Sequence, residues 1–196
     1  MPPVVHSFDP PERFVAGTVG EPGGRTFFLQ ARVGNQLTSV ALEKQQVQIL
    51  AERIEELLDE LLQAEPTSTT VPALTPAGMA DDQPLDQPIE EEFRAGTITL
   101  SWDPEDERIV VEVFPVTEQS APIESDEEGI VDLPIEEPEP EEILLVRLPA
   151  AMARAFSQRA ASVVAAGRPP CPFCGGPVDA EGHLCPRANG FRRRQG

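Results

Sequence analysis

The chain has 196 residues, with 34 Asp and Glu against 15 Lys and Arg and a net charge of −19. That length holds one ordinary domain or two small ones, and the acidity works against a general nucleic-acid or anionic-membrane binder, because like charges repel. Three cysteines leave one thiol over in any disulfide scheme, which argues for a reducing compartment.

The N-terminal run Met1-Pro2-Pro3-Val4-Val5-His6 lacks the basic and apolar regions of a signal peptide. No apolar stretch approaches the roughly 20 residues that span a bilayer. A cytoplasmic protein with no membrane partner is therefore expected. His6 sits in a short apolar run, Val4-Val5-His6-Ser7-Phe8, that reads as an edge strand rather than a site.

Residues 13–19 and 26–33 are rich in aromatic and β-branched side chains and flank a Gly- and Pro-containing turn, so they predict two paired strands. Gly34-Asn35 turns the chain into a third strand over 37–42. A helix follows over about 43–63, where Val47, Leu50, Ile54, Leu57, Leu58, Leu61 and Leu62 recur at helical spacing and acids occupy much of the rest.

The segment 64–92 carries five prolines, seven acids and no basic residue, a composition that predicts a flexible linker. Strands are expected next over 93–102 and 108–114, joined by the turn Asp103-Pro104-Glu105-Asp106. Residues 117–142 hold eleven acids and no basic residue, an acidic loop of the same character. A buried strand over 143–148 leads to Pro149, placed at the first turn of an Ala-rich helix over 150–166. The two acidic segments account for almost all of the net charge; elsewhere 15 basic residues face 16 acidic ones.

The order strand, strand, strand, helix thus occurs twice, in residues 1–63 and 93–170. The echo Phe14-Val15-Ala16-Gly17-Thr18 against Phe93-Arg94-Ala95-Gly96-Thr97 accompanies it. An α+β fold is expected, with two similar halves packed as one pseudo-symmetric domain. Phe14 and Phe93, and Gly17 and Gly96, would then lie near a pseudo-twofold axis.

Residues 171–196 carry the one motif with specific chemistry. Cys171-Pro172-Phe173-Cys174-Gly175 is a knuckle that aims two thiolates at one metal, and His183-Leu184-Cys185 supplies two more donors after Gly-containing turns. Three thiolates and an imidazole complete a tetrahedral structural Zn2+ site. The knuckle is placed to display Arg187, Phe191, Arg192, Arg193 and Arg194 to a partner. Such a tail suits RNA or single strands, through phosphate contacts and stacking, or pairs with the chain's own acidic loop.

Enzyme templates fail. Neither G-x-x-x-x-G-K-[ST] nor G-x-G-x-x-G occurs, and with His183 a ligand only His6 is left for acid–base work. Arg13, Arg25, Arg32, Lys44 and Arg94 lie on or beside strands and at a helix start. Converging, they would bind a phosphate or carboxylate; paired with acids, they would only hold the fold. The leading expectation is a zinc-stabilised binding or adaptor protein without catalysis of its own, whose partner is another protein. A protein handling a small phosphorylated or carboxylated molecule, and a nucleic-acid binder, are the alternatives.

Several segments together resemble the actinobacterial domain-of-unknown-function 3090 family. They are Phe8-Asp9-Pro10-Pro11-Glu12-Arg13-Phe14-Val15-Ala16-Gly17-Thr18-Val19-Gly20, Arg25-Thr26-Phe27-Phe28-Leu29-Gln30-Ala31, Val40-Ala41-Leu42-Glu43-Lys44-Gln45-Gln46, Cys171-Pro172-Phe173-Cys174-Gly175-Gly176 and Gly182-His183-Leu184-Cys185-Pro186-Arg187. The resemblance implies an actinobacterial cytoplasmic protein, often encoded near histidine-phosphatase-like and kinase-like proteins. It implies no established activity.

Overall fold

A computed structural model describes residues 3–21, 23–64, 70–116, 140–167, 171–174, 178 and 185. Seven strands and two helices follow in the order β1 (Val4–Phe8), β2 (Arg13–Val19), β3 (Thr26–Val33), β4 (Gln36–Leu42), α1 (Lys44–Ala64), β5 (Glu91–Asp103), β6 (Arg108–Pro115), β7 (Glu142–Pro149) and α2 (Ala150–Ala165). The fold is mixed α/β, with one seven-stranded sheet ordered β1-β7-β6-β5-β4-β3-β2. Pro149 is the residue just before α2 and has extended backbone, one place earlier than the first helical turn.

β2, β3 and β4 form an antiparallel meander, as do β5, β6 and β7, and the two meanders meet where β4 runs parallel to β5. Both therefore advance across the sheet in the same direction with the same strand polarity. A step along the sheet, not a twofold axis, carries the order of one onto the other, which corrects the expected pseudo-twofold. β1 adds at the far edge, parallel to β7, with Val4 opposite Glu142 and His6 opposite Leu144.

The helices pack on each other and on one face of the sheet. Phe14, Leu29, Val40, Val111, Leu144 and Val146 meet Val47, Ile54, Leu58 and Phe156 in the core beneath them. The Phe14 and Phe156 rings stack with centroids 4.5 Å apart, an arrangement that adds about 0.5–1.5 kcal/mol to the burial itself. β6 and β7 alternate buried and part-exposed residues, as expected of strands covered on one side only. β2, β3 and β4 contain continuous buried runs instead, because a second layer lies behind them.

That second layer comes from the segment expected to be a flexible linker. Residues 70–90 run as a strap that puts Leu85 and Ile89 against Val15, Phe28 and Ala41 on the outer face of the sheet. Arg13 grips Asp81 through Nε at 2.6 Å and Nη2 at 2.9 Å, and donates to the carbonyls of Gln83 and Pro84. Arg159 of α2 donates to the carbonyls of Ala16, Asp81 and Gln83 and to the Asp81 carboxylate. Gln30, fully buried, clasps the backbone of Asp86 in both directions, at 3.0 and 2.7 Å. Proline and acid composition signalled an open coil, but the anchors lie elsewhere in the chain, on β2, β3 and α2.

The strap also explains why Gly17 is a glycine: a Cβ there would come within 2.6 Å of the Leu85 side chain. At the echoed position, a Cβ on Gly96 would lie 2.8 Å from the Pro115 carbonyl oxygen and 2.9 Å from Val116 Cα. Gly17 lets the strap cross β2 closely, whereas Gly96 sits at the irregularity in the β5–β6 pairing, where a side chain would meet the end of the neighbouring strand.

Candidate functional site

The three cysteines converge, as their spacing requires. Cys171, Cys174 and Cys185 have their sulfurs within 4.8 Å of one another, and the Cys171 and Cys185 sulfurs are 3.8 Å apart. Cys171 and Cys185 are buried and Cys174 is half-buried. The Phe173 N–H points at Cys171 Sγ from 3.4 Å, the arrangement by which a tight turn stabilises a thiolate. Burial pushes the Cys171 thiol up. The N–H groups of Cys174 and Phe173 and the neighbouring thiols outweigh it, so the thiol sits below its ordinary range. Three gathered thiols are a soft donor set that can hold a metal ion. The proposed fourth ligand, His183, lies outside the described residues, as do Arg187, Phe191, Arg192, Arg193 and Arg194.

The five candidate anion-binding cations fall in three places. Arg13 and Arg32 share Asp86, at 3.0 and 3.1 Å, and Arg32 also pairs with Glu12. Arg25 lies over the Phe27 ring and donates to the Ala166 and Val163 carbonyls, capping the negative end of α2. Lys44 begins α1, and its amine and the Arg25 guanidinium both approach Gly167. Arg94 pairs with Glu43 and Glu91. Each arginine is thus turned to a carboxylate or carbonyl of the chain. Arg147 behaves likewise, bridging Asp9, Asp103 and Asp106. Its hydrogen bond, followed by the N–H groups of Asp106 and Glu105, holds the Asp103 carboxyl below the usual range.

A feature with no signal in sequence spacing lies between the helices. α1 and α2 leave a groove of about 680 Å3, floored by Ala51, Ala161, Val164 and Ala165. Ala73, Leu74 and Thr75 of the strap close one side, and Leu74 is 81% exposed there. Gln48, Glu52, Glu55, Glu56 and Gln158 supply the polar part of the lining. Its wall is set by Arg154, only 4% exposed, which donates to Glu55 and to the Pro72 carbonyl and lies 2.9 Å from Asp59. Ser157 also donates to Glu55. The groove therefore combines apolar surface with three carboxylates, of which Glu55 is paired with Arg154 and Glu56 with Arg53, leaving Glu52 without a cationic partner among the described residues. Such a lining favours an apolar ligand that carries positive charge. The α1 periodicity was legible, but which other element would face it was not.

His6 is on the edge strand, as its apolar run suggested. No helix among the described residues is long and apolar enough to cross a membrane. A family model described as a protein of unknown function (DUF3090) matches residues 6–185. No curated protein and no solved structure matches the chain.

Proposed function

The chain belongs to the DUF3090 family of proteins of unknown function, and from the geometry above we propose that it is a zinc-stabilised binding or adaptor protein without catalysis of its own. The groove between α1 and α2 carries this reading: its floor is apolar and its rim is acidic. Its partner is a protein segment that presents an apolar stripe flanked by Lys or Arg, such as an amphipathic helix. Glu52 meets a flanking cation, Glu56 can do so by exchanging its exposed partner Arg53, and Ala51, Ala161 and Leu74 meet the stripe.

In this reading Zn2+ is held by Cys171, Cys174, Cys185 and His183, and four protein donors leave no open position for catalysis. So short a segment cannot bury much core, and the ion supplies much of its folding free energy. The site displays Arg187, Phe191 and Arg192 to Arg194 as a second contact arm. The shared order of elements and the common direction and polarity of the two meanders support duplication of one βββα unit.

A capture experiment tests the groove. Wild-type protein recovers a partner from native lysate, while Leu74→Asp and Ala161→Arg, both at exposed positions, lose that same partner and keep wild-type circular dichroism. Retention of the partner by both variants would refute the groove as its binding site.

A further inference from the structure

We infer that the protein has a second metal site, for a divalent first-row cation, built from His6, Glu92 and Glu142 and chemically distinct from the thiol cluster. The three residues are remote in sequence and come from three strands, β1, β5 and β7. Sheet polarity brings them together. β1 runs parallel to β7, and β5 and β7 both run antiparallel to β6, so all three strands begin at the same end of the sheet. β6, which lies between β5 and β7, ends there at Pro115.

The donor atoms already lie close to coordination geometry. His6 Nε2 is 3.2 Å from Glu142 Oε2, and one donor from each of the three residues lies within 4.8 Å of the others. Around a first-row ion with bonds of about 2.0–2.2 Å, neighbouring donors sit about 3.0–3.6 Å apart, the spacing that His6 and Glu142 already have. Rotation of the exposed Glu92 side chain brings its carboxylate to the same spacing. His6 stands on the inward-facing register of β1, level with Leu144, so its ring is held by the sheet rather than free in solvent.

Charge balance points the same way. Two carboxylates face one imidazole, and among the described residues no Lys or Arg lies within 4.0 Å of either Glu92 or Glu142. Arg94, the nearest arginine in sequence, is committed to Glu43 and Glu91. A divalent cation would neutralise the pair that no Lys or Arg among the described residues balances. One nitrogen and two oxygens form a harder donor set than three thiols, which separates the two sites by metal preference. Three protein ligands leave coordination positions for water or an exogenous oxygen donor. The ion would also tie β1, whose one partner among the described strands is β7, to the start of β5.

Mn2+ is the discriminating probe, because it favours oxygen and nitrogen over the thiolates. Full-length protein, first given one equivalent of Zn2+ per chain so that the thiols take it and the oxygen-rich site stays free, is titrated with Mn2+ and the free ion is followed by electron paramagnetic resonance. One Mn2+ is taken up per chain, and binding weakens at least about tenfold in Glu92→Gln, an exposed isosteric change that leaves the fold intact, and in His6→Gln. Cys171→Ser leaves the Mn2+ site unchanged, which separates this result from the fate of the zinc reading. No saturable Mn2+ binding, or binding that is the same in both variants and therefore arises from the acidic loops, overturns the inference.

Discussion

Replacing Asp81 by Ala removes the residue on which the strap depends most. Its carboxylate receives Arg13 Nε at 2.6 Å, Arg13 Nη2 at 2.9 Å and Arg159 Nη1 at 2.8 Å. The arginine side chains are 11% and 10% exposed and Asp81 is 28% exposed, so the cluster lies between surface and interior. Exposed pairs contribute about 0–1 kcal/mol, and stripping one partner from a fully buried pair costs about 3–5 kcal/mol. Arg13 keeps Asp86 at 3.0 Å, which limits the loss. The expected cost is therefore about 2–3 kcal/mol, a fall in Tm of roughly 5–10 °C for a chain of this size. Hydrogen bonds from Arg13, reinforced by the charges of Arg13 and Arg159 and the Gln83 N–H, hold the Asp81 carboxyl below its ordinary value, although burial works against them. A depressed carboxylate stabilises the fold above its unfolded pKa of about 3.9, and that contribution disappears as pH falls through the lower folded value. Urea unfolding followed by circular dichroism should thus show a gap between wild type and Asp81→Ala that is full at pH 7 and shrinks below about pH 4. A gap under about 0.5 kcal/mol at pH 7, or one unchanged at pH 3, would refute this reasoning.

The two echoed glycines should respond unequally. At Gly17 the added Cβ meets the end of the flexible Leu85 side chain, whereas at Gly96 it meets the backbone of Pro115 and Val116. Gly96→Ala should therefore cost more than Gly17→Ala, both within the roughly 1–3 kcal/mol of overpacking, and equal thermal shifts would count against the close approaches described. If the cysteine cluster holds Zn2+, native mass spectrometry should find one zinc per wild-type chain and none in Cys171→Ser, and zinc retained at full stoichiometry in the variant would remove the cluster as its site. Arg25→Met should destabilise by no more than about 1 kcal/mol in chemical unfolding, since it removes an exposed cap on the α2 terminus; a larger loss would mean that Arg25 does more than cap.

Much of the sheet was legible because the cues are local. Gly34-Asn35 sits at the β3–β4 turn, the 3.6-residue repeat from Val47 to Leu62 lies within α1, and the alternation of Ile109, Val111 and Val113 marks a strand with one covered face. The cysteine cluster was legible for the same reason, with Cys171 and Cys174 fixed by a four-residue turn. What escaped depends on pairings remote in sequence. The strap reads as coil because its own residues carry no period; Arg13, Gln30 and Arg159 hold it, and nothing near positions 70–90 announces them. The strand arginines illustrate the converse. Their residue type suits an anion site, but Asp81, Asp86, Glu12, Glu43 and Glu91 already occupy Arg13, Arg32 and Arg94. The parallel β1–β7 pairing that brings His6 beside Glu142 joins residues 136 positions apart, beyond the reach of any periodicity.

Hydrogen–deuterium exchange on the chain bound to its captured partner tests the interhelical groove most directly. The account predicts new protection concentrated in residues 48–56 of α1, 73–75 of the strap and 154–165 of α2, the elements that line the groove. Protection that leaves these segments unchanged and appears instead on the outer face of β6 and β7 would contradict it.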